Sequence, residues 1–242
     1  MTTWTAETVA QRIEIFADGA DLRSIERDAD NPLIRGFTTN PTLMRKAGID
    51  DYEGFAKAVL ARVPDKPVSF EVISDEFEEM ERQARRIASW AEHVFVKIPI
   101  MSTRRESAVG LIETLCRAGV KVNTTAVFSP TQLEKLHRTI PRDATAIVSV
   151  FAGRIADTGM DPVPIMRAAK DLFSDHPDVR LLWASPREVL NVVQAAEAGV
   201  DIITLTDDLR GKLASLGKDL EEFSRDTVAM FHADAVASGY RL

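Results

Sequence analysis

The run VFVKIPI at 94–100 places one lysine, Lys97, in a segment whose other positions are apolar. Burial disfavours the charged form of an amine, and a neutral amine can attack a carbonyl to form a Schiff base. A lysine at a strand end can equally snorkel to solvent. Strand side chains alternate between two faces, so a lysine aimed at a shared interior should meet polar residues at matching positions on neighbouring strands. Such residues occur. Asp18 closes IEIFAD, Asn40 closes IRGFTTN, Glu71 lies in PVSFEVI, Asn123 and Thr125 stand two apart in VKVNTTAVF, and Ser149 lies in AIVSVFAG. Asp18 before Gly19 and Asn40 before Pro41 have an alternative reading as turn or helix-capping residues. Polar groups inside apolar strands need partners, however, and one polar cavity would serve all six together. A second group, Arg154 after SVFAG and Ser185 with Arg187 around VRLLWAS, offers guanidinium forks and a hydroxyl, which suit phosphate. Solvated surface charge is the alternative for the two arginines.

These residues must be held by a repeating scaffold. Eight apolar runs recur, at 13–18, 34–40, 67–73, 93–100, 120–128, 146–153, 179–185 and 200–206. Stretches with helical periodicity lie between them, among them DEFEEMERQARRIASWA, RESAVGLIETLCRAG, PTQLEKLHRTI, VPIMRAAKDLFSD and PREVLNVVQAAEAG. Alternation of this kind predicts parallel βαβ units, and eight of them predict an α/β fold, a single (β/α)8 TIM barrel over 1–242. A doubly wound open sheet is the alternative, but neither GxGxxG nor a Walker A motif occurs. Residues from Leu209 to Leu242 continue as a C-terminal helical extension in which Phe223, Met230 and Phe231 are expected to pack on the barrel or on a neighbouring subunit.

A net charge of −7 with no basic block argues against nucleic acid as a partner. The lone Cys116 can form no internal disulfide, the first residues do not read as a secretory signal, and no apolar run reaches the roughly 18 residues of a membrane span, so a soluble cytoplasmic protein with no membrane contact is expected. The four histidines, His93, His137, His176 and His232, are dispersed without zinc-ligand spacing, and no metal role is assigned to them.

Across nearly the whole length, the motifs GFTTNPTL at 36–43, SFEV at 69–72, VFVKIPI, NTTAVFS at 123–129, SVFAGRIAD at 149–157 and WASPRE at 183–188 occur in an order that resembles the transaldolase family, which includes the fructose 6-phosphate aldolases. The resemblance implies Lys97 as the Schiff-base lysine, Asp18 as the acid/base at the sugar's C4 hydroxyl, and Glu71 with Thr125 holding a catalytic water. It implies Thr39, Asn40, Asn123, Ser149 and Phe151 around the dihydroxyacetone portion, and Arg154, Ser185 and Arg187 on the phosphate. The partners it implies are small sugar phosphates and other copies of the chain, and the chemistry calls for no cofactor. Glu71 and Phe151 resemble the classical transaldolase choices, where the aldolases carry glutamine and tyrosine. An aldolase of the fructose 6-phosphate type, a transaldolase for a modified sugar bearing another anion such as a sulfonate, and a catalytically silent sugar-phosphate binder are the competing readings.

Overall fold

In a computed structural model that describes residues 4–241, eight parallel strands close into a barrel in sequence order. They are β1 (Glu14–Asp18), β2 (Ile34–Thr38), β3 (Val68–Glu71), β4 (Val94–Pro99), β5 (Val122–Val127), β6 (Ala146–Val150), β7 (Val179–Trp183) and β8 (Ile202–Leu205). Each apolar run of the sequence contains one strand. Each of the five expected helical stretches contains a helix, such as Phe77–Ala88 within DEFEEMERQARRIASWA and Leu190–Glu197 within PREVLNVVQAAEAG. The ends of the expected 1–242 barrel, residues 1–3 and Leu242, lie outside the described residues. Among the described residues no helix is long and apolar enough to cross a membrane.

Strand parity divides the apolar residues into two cores. One face of each strand packs outward against the helices, with Ile15, Val68, Val96, Val148, Leu181 and Ile203 meeting helical residues such as Met80, Leu115 and Leu136. The other face points into the barrel, where Phe16, Phe95, Ile147, Leu182, Ala184 and Ile202 form a separate apolar cluster. Gly36 makes room for that cluster, because a Cβ there would lie 2.6 to 2.8 Å from three ring carbons of Phe16. The same inward face carries the polar positions nearer the carboxyl ends of the strands, including Thr38, Ser69, Lys97, Asn123, Ser149 and Thr204, all buried. The interior is therefore a dry floor beneath a polar layer.

The chain after β8 forms a short helix, Asp207–Lys212, and then a long one, Leu220–Ser238. Leu213 is the last buried residue described, and Gly217 adopts the left-handed conformation (φ 74°) in the turn between the helices. No residue of the long helix is buried, and Phe223, Met230 and Phe231 are 46%, 52% and 61% exposed. Of the two expected partners, the barrel and a neighbouring subunit, the first is thereby corrected: Leu216 is the last apolar residue packed on the barrel's outer core, and the helix begins beyond it.

Two loops at the carboxyl end of the barrel touch through backbone. Gly153, in the helix Ala152–Ala156 that follows β6, donates its N–H to the carbonyl of Ala184 after β7 at 3.3 Å. A Cβ on Gly153 would stand 1.6 Å from the Ser185 carbonyl oxygen, a contact no side-chain motion can relieve. Gly153→Ala is expected to destabilise the protein by about 1–3 kcal/mol, read as a lower urea midpoint with unchanged slope. An unchanged midpoint would mean that the loops are free to part.

Candidate active site

A cavity of about 480 Å³ opens among the carboxyl ends of the strands, and Lys97 lies in its wall with 6% of its surface exposed. The amine has two partners: Nζ donates to the backbone carbonyl of Thr39 at 3.0 Å and lies 3.2 Å from Glu71 Oε2. The second contact follows from strand register, since Glu71 on β3 stands directly beside Lys97 on β4. Thr39 is thus part of the site through its main chain. Its own hydroxyl is buried, has no partner among the described residues and does not line the cavity, because Thr39 faces away from the side shared by Thr38 and Asn40.

Asp18 ends β1 and lines the same cavity. Thr38 Oγ1 donates to Asp18 Oδ1 at 2.7 Å and lies 2.5 Å from Thr204 Oγ1. Burial pushes the Asp18 carboxyl above its ordinary value, an effect partly offset by the Lys97 charge, the Thr38 hydrogen bond and the Arg210 charge. An aspartate held in this way is suited to taking and returning a proton.

On β5 the pairing with β6 slips between Thr124 and Val127, and Ala126 adopts φ 57°, so that Thr125 and Ala126 in succession line the cavity. Such a bulge re-aims side chains at a sheet end. Thr125 Oγ1 is buried with no hydrogen-bond partner among the described residues. Asn123, two residues earlier, is fully buried and does not reach the cavity: it donates to Ser69 Oγ at 3.0 Å and accepts from Ser149 Oγ at 2.7 Å. Ser149 lines the cavity in its place. Asn40 does both things the sequence allowed, lining the cavity while its Oδ1 accepts from the backbone N–H of Leu43 at 3.0 Å to cap the helix Pro41–Lys46.

The rim carries the cations. Arg154 lies with its guanidinium 5.6 Å from the centroid of the Phe151 ring, which packs on Phe128 at 5.6 Å. Ser185 has φ 59°, a conformation that costs a non-glycine residue of order 1–3 kcal/mol and that bends the loop toward Gly153. Arg187 reaches the cavity wall but also pairs with Asp157, its Nε lying 3.0 and 3.1 Å from the two carboxylate oxygens. Thr38, Thr204, Thr206 and Lys46 also line the cavity and were not singled out in the sequence. Parity could have found Thr38, two residues before Asn40 on the same face. Lys46 gives no local signal, since it stands at the end of a helix.

The profile of the family described as Transaldolase/Fructose-6-phosphate aldolase matches residues 15–241. The chain is 34% identical over 196 residues to a probable transaldolase of Dehalococcoides mccartyi, covering 80% of this chain and 86% of that one. It is 32% identical over 221 residues to a probable transaldolase of Nitrosopumilus maritimus, covering 88% and 94%. It is 33% identical over 218 residues to probable transaldolase 2 of Listeria monocytogenes, covering 88% and 95%. Two solved structures share the fold at low identity. They are orotidine 5'-monophosphate decarboxylase of Metallosphaera sedula, with TM-score 0.54, 12% identity and coverage of 87% and 98%, and a putative phosphonomutase of Burkholderia cenocepacia, with TM-score 0.52, 15% identity and coverage of 96% and 100%. With its profile matched over almost the whole barrel, the chain belongs to the transaldolase/fructose-6-phosphate aldolase family.

Proposed function

We propose that the protein transfers a dihydroxyacetone unit from a ketose phosphate, such as fructose 6-phosphate or sedoheptulose 7-phosphate, to an aldose phosphate through a Schiff base on Lys97. The observation that carries this reading is the buried Lys97 amine set 3.2 Å from Glu71, in a cavity that Asp18 also lines. Attack needs the neutral amine, and Glu71 is the group within reach to accept its proton. Nζ adds to the C2 carbonyl, and the carbinolamine loses its hydroxyl as water, with Glu71 and the unpartnered Thr125 hydroxyl holding the water that relays protons. Asp18 then takes the proton of the C4 hydroxyl, the C3–C4 bond breaks, and its electron pair passes to C3 to form an enamine as the protonated imine is neutralised. An aldose phosphate leaves. A second aldehyde reacts in the reverse sense, and water releases the new ketose.

Asn40 and Ser149 are placed to hold the hydroxyls of the three-carbon unit. Asn123 acts behind Ser149, orienting its hydroxyl rather than touching the sugar. Arg154, Ser185 and Arg187 take the phosphate, Arg187 exchanging Asp157 for it. The same pair of guanidinium groups would accept a sulfonate. Transfer is favoured over acceptor-free aldol cleavage because Phe151 can donate no hydrogen bond to the hydrolytic water. The exposed apolar residues of the Leu220–Ser238 helix support self-association, and a cytoplasmic location fits the metabolites involved.

Borohydride reduction with fructose 6-phosphate should leave a three-carbon adduct on Lys97 by peptide mass, diminished when erythrose 4-phosphate is supplied. Trapping on any other lysine would overturn the assignment. Asp18→Asn should lower kcat by about 10²–10⁴-fold. Because the raised Asp18 carboxyl must be ionised to take the proton, the acidic limb of kcat/KM should lie above the ordinary aspartate value of 3.8. Thr38→Val removes a bond that favours the ionised form and should move that limb to still higher pH. A limb that stays put or moves down would remove Asp18 from the base role. Phe151→Tyr should raise acceptor-free cleavage of fructose 6-phosphate roughly fivefold, as one added hydrogen bond of about 1 kcal/mol would, and no increase would count against this account of transfer.

A further inference from the structure

At the amino end of the barrel, remote from the cavity, three ligand-type side chains converge. His137 lies in the last turn of the helix Pro130–Thr139 before β6, and Asp175 and His176 lie in the segment that leads into β7. His137 Nε2 and His176 Nδ1 stand 2.9 and 2.7 Å from the same carboxylate oxygen, Asp175 Oδ1, and the three atoms all fall within 4.8 Å of one another. His176 is 3% exposed, and its other nitrogen, Nε2, is 3.1 Å from the carbonyl oxygen of Ile140. A carbonyl only accepts, so Nε2 bears the proton there, and in the neutral ring the Nδ1 lone pair then faces the carboxylate. Two acceptors 2.7 Å apart need a proton, on the ring or on the carboxyl, or a cation between them, and although Asp175 itself is exposed, His176 is buried against it.

The surrounding contacts resemble those around bound metals. A metal-binding imidazole usually donates its far N–H to a carbonyl or carboxylate, as His176 does to Ile140. Arg142 holds the other oxygen of Asp175, Oδ2, at 2.7 Å, which fixes the carboxylate and leaves Oδ1 turned to the two rings. Phe173 packs edge-on against both imidazoles, at 5.5 and 5.7 Å between centroids. We propose that His137 Nε2, His176 Nδ1 and Asp175 Oδ1 bind one zinc ion. Two imidazoles and one carboxylate are ligands for zinc, whereas magnesium prefers an all-oxygen octahedral shell. On binding, a doubly protonated ring releases the proton of its coordinating nitrogen to solvent, and a neutral ring protonated there shifts that proton to its other nitrogen. The ligand atoms must open slightly around the ion, and His137, with a side chain 24% exposed at a helix end, is the one placed to move. The ion ties the helix end before β6 to the turn before β7, the two strands whose far ends carry Arg154, Ser185 and Arg187.

The test is calorimetric titration of the chelator-stripped full chain with zinc chloride, and separately with magnesium chloride, for the wild type, His137→Ala and His232→Ala, with circular dichroism following the fold without metal. One zinc per chain is expected, with a rise in thermal midpoint and no comparable response to magnesium. His137→Ala should weaken zinc by more than the roughly 10–100-fold that loss of an outer-shell partner costs metal sites. His232→Ala, in the exposed tail helix, should bind as the wild type does. No saturable zinc binding, or zinc binding unchanged in His137→Ala, would mean that protons alone hold the cluster and would overturn the proposal. Should His137→Ala unfold, cobalt in the wild type decides the matter: intense visible bands of a four-coordinate ion support the site, and the weak bands of a six-coordinate ion refute it.

Discussion

An amine buried at the carboxyl end of β4 must be compensated from within the barrel, because an unpaired buried charge is among the most unfavourable arrangements in a protein. The compensation comes from two directions: a main-chain carbonyl at the end of β2 and a carboxylate on β3. Both depend on how consecutive strands pair. The carbonyl of Thr39 reaches Lys97 from a strand that is not its neighbour, with β3 between them. The Glu71 contact depends on a side-by-side register that a slip of one residue would turn outward. The position of the lysine therefore rests on the pairing of three strands.

The apolar floor serves the same end from below. Phe16, Phe95, Ile147, Leu182 and Ile202 fill the lower barrel and keep water from the polar layer above. Asp18 accordingly sits with limited solvation and a raised proton affinity, while Thr38 and Thr204 supply hydroxyls that tie β1, β2 and β8 together at the cavity wall. Floor and site are successive layers of one alternating pattern.

Much of this was legible in the sequence. The eight strands stand out because parallel strands covered on both faces read as apolar runs, and Lys97, Asp18, Glu71 and Ser149 stand out because each interrupts one. Thr38 and Thr204 do not stand out, since threonine is an ordinary strand residue whose inward hydroxyl is evident only once the barrel closes. Residue type likewise could not tell Asn123, retained behind Ser149, from Asn40 at the wall, nor show that Thr39 contributes its carbonyl rather than its hydroxyl. For Phe223, Met230 and Phe231 apolar character predicts burial without saying against what, and in the single chain they stay exposed. His137 and His176 are far apart along the chain and meet only because β6 and β7 are neighbours, which brings their preceding segments side by side.

The ion pair between Arg187 and Asp157 has a consequence for anything anionic that enters the cavity. The guanidinium is already occupied by a carboxylate of its own chain, so capture of a ligand there is an exchange of one anion for another rather than simple addition. Both partners are about half exposed, so water and dissolved ions share the contact and the internal competitor is easily displaced. Displacement leaves Asp157 beside an incoming anion, in a protein that already carries a net charge of −7. Residence of an anion at this rim is thus self-limiting.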